Sequence, residues 1–78
     1  PNPFNPVTKI EFQLPESGLI NISIFDVNGK LIEKLVNGNF SAGKFSVEWN
    51  AENFPSGVYF CRIEAGSFSD AMKMILAK

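Results

Sequence analysis

Hydrophobic and polar residues alternate along most of the chain, and that alternation predicts strands. From Thr8 onward, Ile10, Phe12 and Leu14 share one face while Lys9, Glu11 and Gln13 share the other. A period of two marks a half-buried strand, because successive side chains leave opposite sides of the backbone. Pro15-Glu16-Ser17-Gly18 closes the run as a turn. Ile20, Ile22 and Ile24 then alternate with Asn21, Ser23 and Phe25 in a second strand. Asp26-Val27-Asn28-Gly29 follows. Asn-Gly is a strong hairpin signal, since both central residues of a type I′ turn need positive φ. Lys30 to Val36 returns as a third strand in which Leu31, Ile32, Leu35 and Val36 break strict alternation, so a bulge or a partly two-faced strand is expected. A two-turn amphipathic helix competes for this stretch, and the Asn28-Gly29 signal favours the hairpin.

Asn37-Gly38-Asn39 and Ser41-Ala42-Gly43 read as turn-rich segments on either side of Phe40. Phe45, Val47 and Trp49 form the next alternating set, with Lys44, Ser46 and Glu48 opposite. Asn50 to Phe54 is a link with room for one helical turn. Pro55-Ser56-Gly57 is a turn signal, because proline presets its φ and glycine permits positive φ. Beyond it Tyr59, Cys61, Ile63 and Ala65 fall on one face, and Val58, Phe60, Arg62 and Glu64 on the other. Ala65-Gly66-Ser67 is a tight reversal, so Phe68 to Ala77 can run back as a closing strand with Met72, Met74 and Leu76 toward the core. Six strands at short, regular intervals predict an all-β fold, a small antiparallel immunoglobulin-like β-sandwich of about six to seven strands. Tyr59, near the start of its strand, suits a tyrosine corner, with a buried ring and a hydroxyl that reaches backbone.

Composition narrows the function classes. Seventy-eight residues, 45% hydrophobic and 19% charged, make one globular domain, 1–78, with a modest core and little room for a deep active-site cleft. Pro1-Asn2-Pro3-Phe4-Asn5-Pro6 reads as an extended lead-in (1–6) from an upstream domain, in which Phe4 packs down. Seven basic residues against eight acidic ones, without a cationic cluster, leave no electrostatic footprint for nucleic acid or an anionic membrane. The single cysteine cannot form an internal disulfide. A start at Pro1 without methionine, and without a signal-peptide pattern, suggests a piece of a longer protein; if that protein is exported, its targeting signal is expected upstream.

Candidate chemistry is sparse. The absence of histidine removes Ser-His and Cys-His nucleophilic pairs and the commonest transition-metal ligand. The carboxylates are scattered over outward positions and turns, where solvation explains them better than acid–base work. Asp26 and Asn28 resemble the opening of a calcium loop, but the other spaced acidic ligands are missing and a turn role is favoured. Cys61, in phase with Tyr59 and Ile63, reads as a small buried apolar residue. Trp49, in phase with Phe45 and Val47, reads as core ahead of a carbohydrate platform. The expectation is therefore no catalytic residue, no metal, no cofactor and no small-molecule substrate.

Three pieces resemble one family. They are Pro1-Asn2-Pro3-Phe4-Asn5-Pro6 with Thr8-Lys9-Ile10-Glu11-Phe12; Phe25-Asp26-Val27-Asn28-Gly29-Lys30; and Pro55-Ser56-Gly57-Val58-Tyr59-Phe60 with Lys73-Met74-Ile75-Leu76-Ala77-Lys78. In this order, over essentially the whole chain, they resemble the type A C-terminal sorting domain of the type IX (Por) secretion system. They are also similar to the immunoglobulin-like domain of the flagellar hook-capping protein. The resemblance implies a β-sandwich recognised by the outer-membrane translocon and its processing machinery, directing an upstream cargo domain of the same chain to the cell surface or medium. It further implies that Pro55, Gly57 and Tyr59 carry a turn motif for that recognition, and Lys73 and Lys78 a terminal one. The terminal strand would offer an edge and a free end to a partner strand, and exposed edges leave edge-to-edge dimerisation open. The alternative from another class is a structural immunoglobulin-like accessory domain that packs against or spaces an upstream enzyme.

Overall fold

In the computed structural model, which describes residues 3–78, each alternating stretch becomes a strand. The strands are β1 (Val7–Leu14), β2 (Gly18–Phe25), β3 (Leu31–Phe40), β4 (Gly43–Asn50), β5 (Gly57–Ala65) and β6 (Phe68–Leu76). β1 pairs with β4, and the other four form a sheet in the order β3-β2-β5-β6, with every pairing antiparallel. The architecture is the small all-β, immunoglobulin-like sandwich that the turn spacing predicts. Pro1 and Asn2 of the expected lead-in lie outside the described residues.

The core lies between the sheets, and its residues are the inward sets of the alternation. Ile20, Ile22 and Ile24 are buried because β2 has a neighbour on each side and a sheet over its face. Burial of each such side chain stabilises by roughly 1.5–3 kcal/mol. Trp49 is fully buried, with the rings of Phe4, Phe54 and Tyr59 at 5.7, 5.8 and 5.3 Å between centroids. A second aromatic group, Phe12, Phe40 and Phe45, packs with centroids 5.0 to 6.1 Å apart. A buried indole N–H needs an acceptor. Here Trp49 Nε1 donates to Glu33 Oε1 at 3.0 Å.

Glu33 can serve because β3 is irregular. Its register against β2 slips between Ile22 and Ser23 and again between Ile24 and Phe25, leaving Leu35 and Ile32 as extra residues. The expected bulge therefore occurs twice. The broken alternation of β3 pairs Glu33 with the buried Ile24 while Ile32, Leu35 and Val36 still pack on the core.

Four local expectations need correction. The 26–30 loop is a hairpin but not type I′, since only Gly29 takes positive φ (80°) and Asn28 does not. Asp26 Oδ1 accepts from the amides of Asn28 and Lys30 at 2.9 and 3.0 Å, and Gly29 N donates to Asp26 O at 3.1 Å. That is a three-residue loop with glycine at the left-handed position, stabilised by the aspartate. Asn37-Gly38-Asn39 is strand, not turn, paired with Asn21, Ile20 and Leu19. The ladder offered by β2 outweighs local turn preference. Asn50 to Phe54 contains a hydrogen-bonded turn (Phe54 N to Ala51 O, 3.0 Å) and no helix. Met72, finally, is exposed although it lies in the inward phase of β6.

Candidate functional site

Pro55-Ser56-Gly57 turns the chain into β5, and Tyr59 fixes the geometry of that turn. The Tyr59 ring is buried against Trp49, and its hydroxyl donates to Pro55 O at 2.6 Å. The expected tyrosine corner is present. Gly57 has φ of 154°, a conformation that residues with a side chain rarely adopt, yet nothing lies within 4 Å of an added Cβ. Its glycine requirement is therefore conformational, not steric. Burial, with a smaller contribution from the Asp26 carboxylate, pushes the Tyr59 phenol above its usual range.

The same corner receives the end of the chain. Gly57 pairs with Leu76, Lys78 N donates to Ser56 Oγ at 3.1 Å, and Lys78 Nζ donates to Glu52 O. Of the five residues implicated by resemblance, Pro55, Gly57, Tyr59 and Lys78 thus meet at one end of the sandwich. Lys73 does not join them. It pairs with Phe60 farther along β6, with its side chain exposed.

β6 is the outer strand of its sheet, but its edge is open along only part of its length. Phe4 makes a parallel bridge to Leu76, with Phe4 N donating to Ile75 O and Ala77 N to Phe4 O, both at 3.0 Å. The Phe4 ring is buried against Trp49, so the expected packing of Phe4 is present. Ile75 and Ala77 turn their backbone groups away from β5 toward Phe4, and by the strand's period of two Ser69 and Ala71 face the same way. Among the described residues no strand lies beside them. Ala71 N donates instead to the neighbouring Asp70 Oδ1 at 2.9 Å. The terminal strand thus has a sealed half, Met74–Ala77, and an open half, Phe68–Met72. The free end anticipated from the sequence is tied down.

Phe68 is 58% exposed and Met72 40%, whereas Met74 is 4% and Leu76 1%. The inward side of β6 is thus uncovered at its beginning. A cleft of about 640 Å³ opens there, between Gln13–Asn21 and Glu64–Phe68. Its lining combines apolar Leu19, Ala65 and Phe68 with the carboxylates Glu16 and Glu64. The Phe4 clamp is the feature sequence reasoning missed. An isolated aromatic among prolines pointed to packing, but nothing in one dimension identifies β6 as the partner.

Other candidates resolve simply. Cys61 is fully buried, and burial pushes its thiol up to about 11, so it is not poised as a nucleophile. Asp26 and Asn28 belong to the hairpin loop, and among the described residues no three His, Cys, Asp or Glu side chains converge as metal ligands. Burial of Trp49 removes the best carbohydrate platform. Arg62, without an evident partner in sequence, lies over the Phe25 ring at 5.2 Å.

A family model described as the secretion system C-terminal sorting domain matches residues 1–77. No curated protein and no solved structure matches the chain.

Proposed function

The chain belongs to the family of secretion-system C-terminal sorting domains, and from that membership we propose how its corner and terminal strand do the sorting. A domain of this family is the C-terminal sorting signal of type IX secretion, through which an upstream cargo domain is exported across the outer membrane to the cell surface or medium. The secretion machinery and the cargo are its partners. Residues 1–78 act as one unit, with 1–6 leading in from the cargo. The unit works by binding, without catalysis or cofactor.

The division of β6 carries this reading. A partner strand from the translocon pairs with the open half, where Ser69 and Ala71 turn their backbone outward and Phe68 and Met72 are left uncovered. Strand addition supplies main-chain hydrogen bonds, and alternate side chains supply the selection. Pro55, Gly57, Tyr59 and Lys78 hold the sealed half in register, so Tyr59 acts through the corner it fixes and not by touching the partner. Lys73 stands at the boundary. Charged residues such as Asp70 and Lys73 also discourage the edge from pairing with other copies of the chain.

The test is export of a reporter carrying an inner-membrane signal peptide fused to residues 1–78, in a bacterium with the type IX apparatus. Ala71→Pro removes an edge donor and obstructs pairing, while proline remains tolerable on an edge strand. Loss of export with an unchanged melting temperature supports strand addition, and a version ending at Gly66 should also fail. Wild-type export of Ala71→Pro would rule out pairing at this edge. A folded, protease-resistant wild-type module retained in the periplasm would instead favour the accessory-domain role.

A further inference from the structure

The outward face of the four-stranded sheet carries a pattern that strand addition does not use. Its pairings place residues in rows across the sheet. One row reads Leu31, Phe25, Phe60, Lys73 on β3, β2, β5 and β6; the next reads Lys34, Ser23, Arg62, Ala71; the third reads Asn37, Asn21, Glu64, Ser69. Val58 and Ile75, paired with each other, extend the first row toward the Pro55 corner. Leu31, Phe60 and Ile75 are each 37 to 43% exposed. The face therefore grades from a largely apolar band that ends in Lys73, through a row with two cations, to a polar row that carries Glu64.

Charge on this face is not the charge of the chain. The three rows hold three cations, Lys34, Arg62 and Lys73, against one carboxylate, Glu64, whereas the whole chain has a formal net charge of -1. The guanidinium of Arg62 over the Phe25 ring brings positive charge to the margin of the apolar band. Large exposed apolar patches with polar rims mark interaction sites, and complementary charge at the rim sets orientation and encounter rate.

We infer that this face is a second docking surface for the secretion machinery, distinct from the β6 edge, and that it takes a protein surface with an apolar centre and carboxylates placed opposite Lys34 and Arg62. The inference rests on the sorting role. A protein is favoured over a lipid surface because membrane-binding polybasic segments gather about four to eight cations, and three spread across a flat sheet fall short. The edge would give strand register, and the face would give selection by charge.

The test uses the same reporter fusion with two face variants, Lys34→Glu with Arg62→Glu, and Phe60→Ser with Ile75→Ser, each checked for an unchanged melting temperature. A photo-crosslinking amino acid at position 60 is compared with one at Glu11, on the other sheet. Export should fall by about tenfold or more in both variants, and position 60 alone should give a discrete protein adduct in outer-membrane fractions. Wild-type export of both folded variants overturns the face while leaving the sorting role intact. Crosslinking to lipid alone overturns the protein partner. Retention of the unmodified fusion removes the sorting role itself, and the face with it.

Discussion

Met72 and Met74 are the same residue on the same side of one strand, two positions apart, and only one of them is core. Met74 is buried in the half of β6 that Phe4 clamps, whereas Met72 lies in the half whose inward side is uncovered. Burial is thus decided by what lies opposite and not by hydrophobicity or phase. The sealed half carries stability and the open half is available to a partner, so one strand divides between holding the fold and offering an edge. The comparison can be broken at either half.

The largest contrast is between two phenylalanines. Phe4→Ala removes a buried ring from Trp49 and releases the strap on Ile75 and Ala77, and should cost about 3–5 kcal/mol. Phe68→Ala, at the open end, should cost less than about 1 kcal/mol. Urea unfolding of both variants measures the difference, and similar losses would mean that β6 is not divided as described. The methionines refine the boundary. Met74→Ala should cost about 2–5 kcal/mol, and Met72→Ala no more than a surface substitution while lowering reporter export if the open half is contacted.

Cys61 probes the boundary from the inside, because it pairs with exposed Met72 yet is itself fully buried. Burial pushes its thiol up from 9.0 to about 11. A folded-state value above the unfolded one means that the contribution is complete below pH 9 and is lost as pH rises through about 11. Two units correspond to roughly 2–3 kcal/mol. Urea midpoints measured from pH 8 to pH 11 should therefore fall, and Cys61→Ala should remove part of that slope. The Tyr59 phenol, also raised, supplies a remainder of the same sign. If the open half of β6 peeled away from β5 in the free protein, the cysteine contribution would be largely absent.

How much of this was legible in the sequence follows the same division. Ile20, Ile22 and Ile24, the Tyr59–Ile63 face and the tyrosine corner were readable because local periodicity and turn chemistry determine them. Asn37-Gly38-Asn39 was misread because its strand exists only through the ladder that β2 supplies. Met72 was misplaced because phase says which way a side chain points and not whether anything covers it. The resemblance singled out Pro55, Gly57, Tyr59 and Lys78 without explaining them. The hydrogen bonds from Tyr59 to Pro55 and from Lys78 to Ser56 and Glu52 now give a physical reason for their association. Lys73 has a different setting, on the outward face beside Phe60.

The smallest effect expected is the most specific. Tyr59→Phe keeps the ring against Trp49 and deletes only the hydroxyl that donates to Pro55 O. The lost hydrogen bond should cost about 1 kcal/mol, well below the loss for Phe4→Ala, because the buried apolar surface is unchanged. Its consequence should nevertheless be local to the sealed half. The 55–57 turn loosens, and with it the tie from Ser56 to Lys78, so amide exchange at Lys78 should quicken while Ala71, already at the open edge, exchanges as before. If export falls further than the small stability loss accounts for, the hydroxyl is a positioning group for the terminal strand. If exchange quickens equally in both halves, the corner stabilises the fold as a whole, and the functional division of β6 does not depend on it.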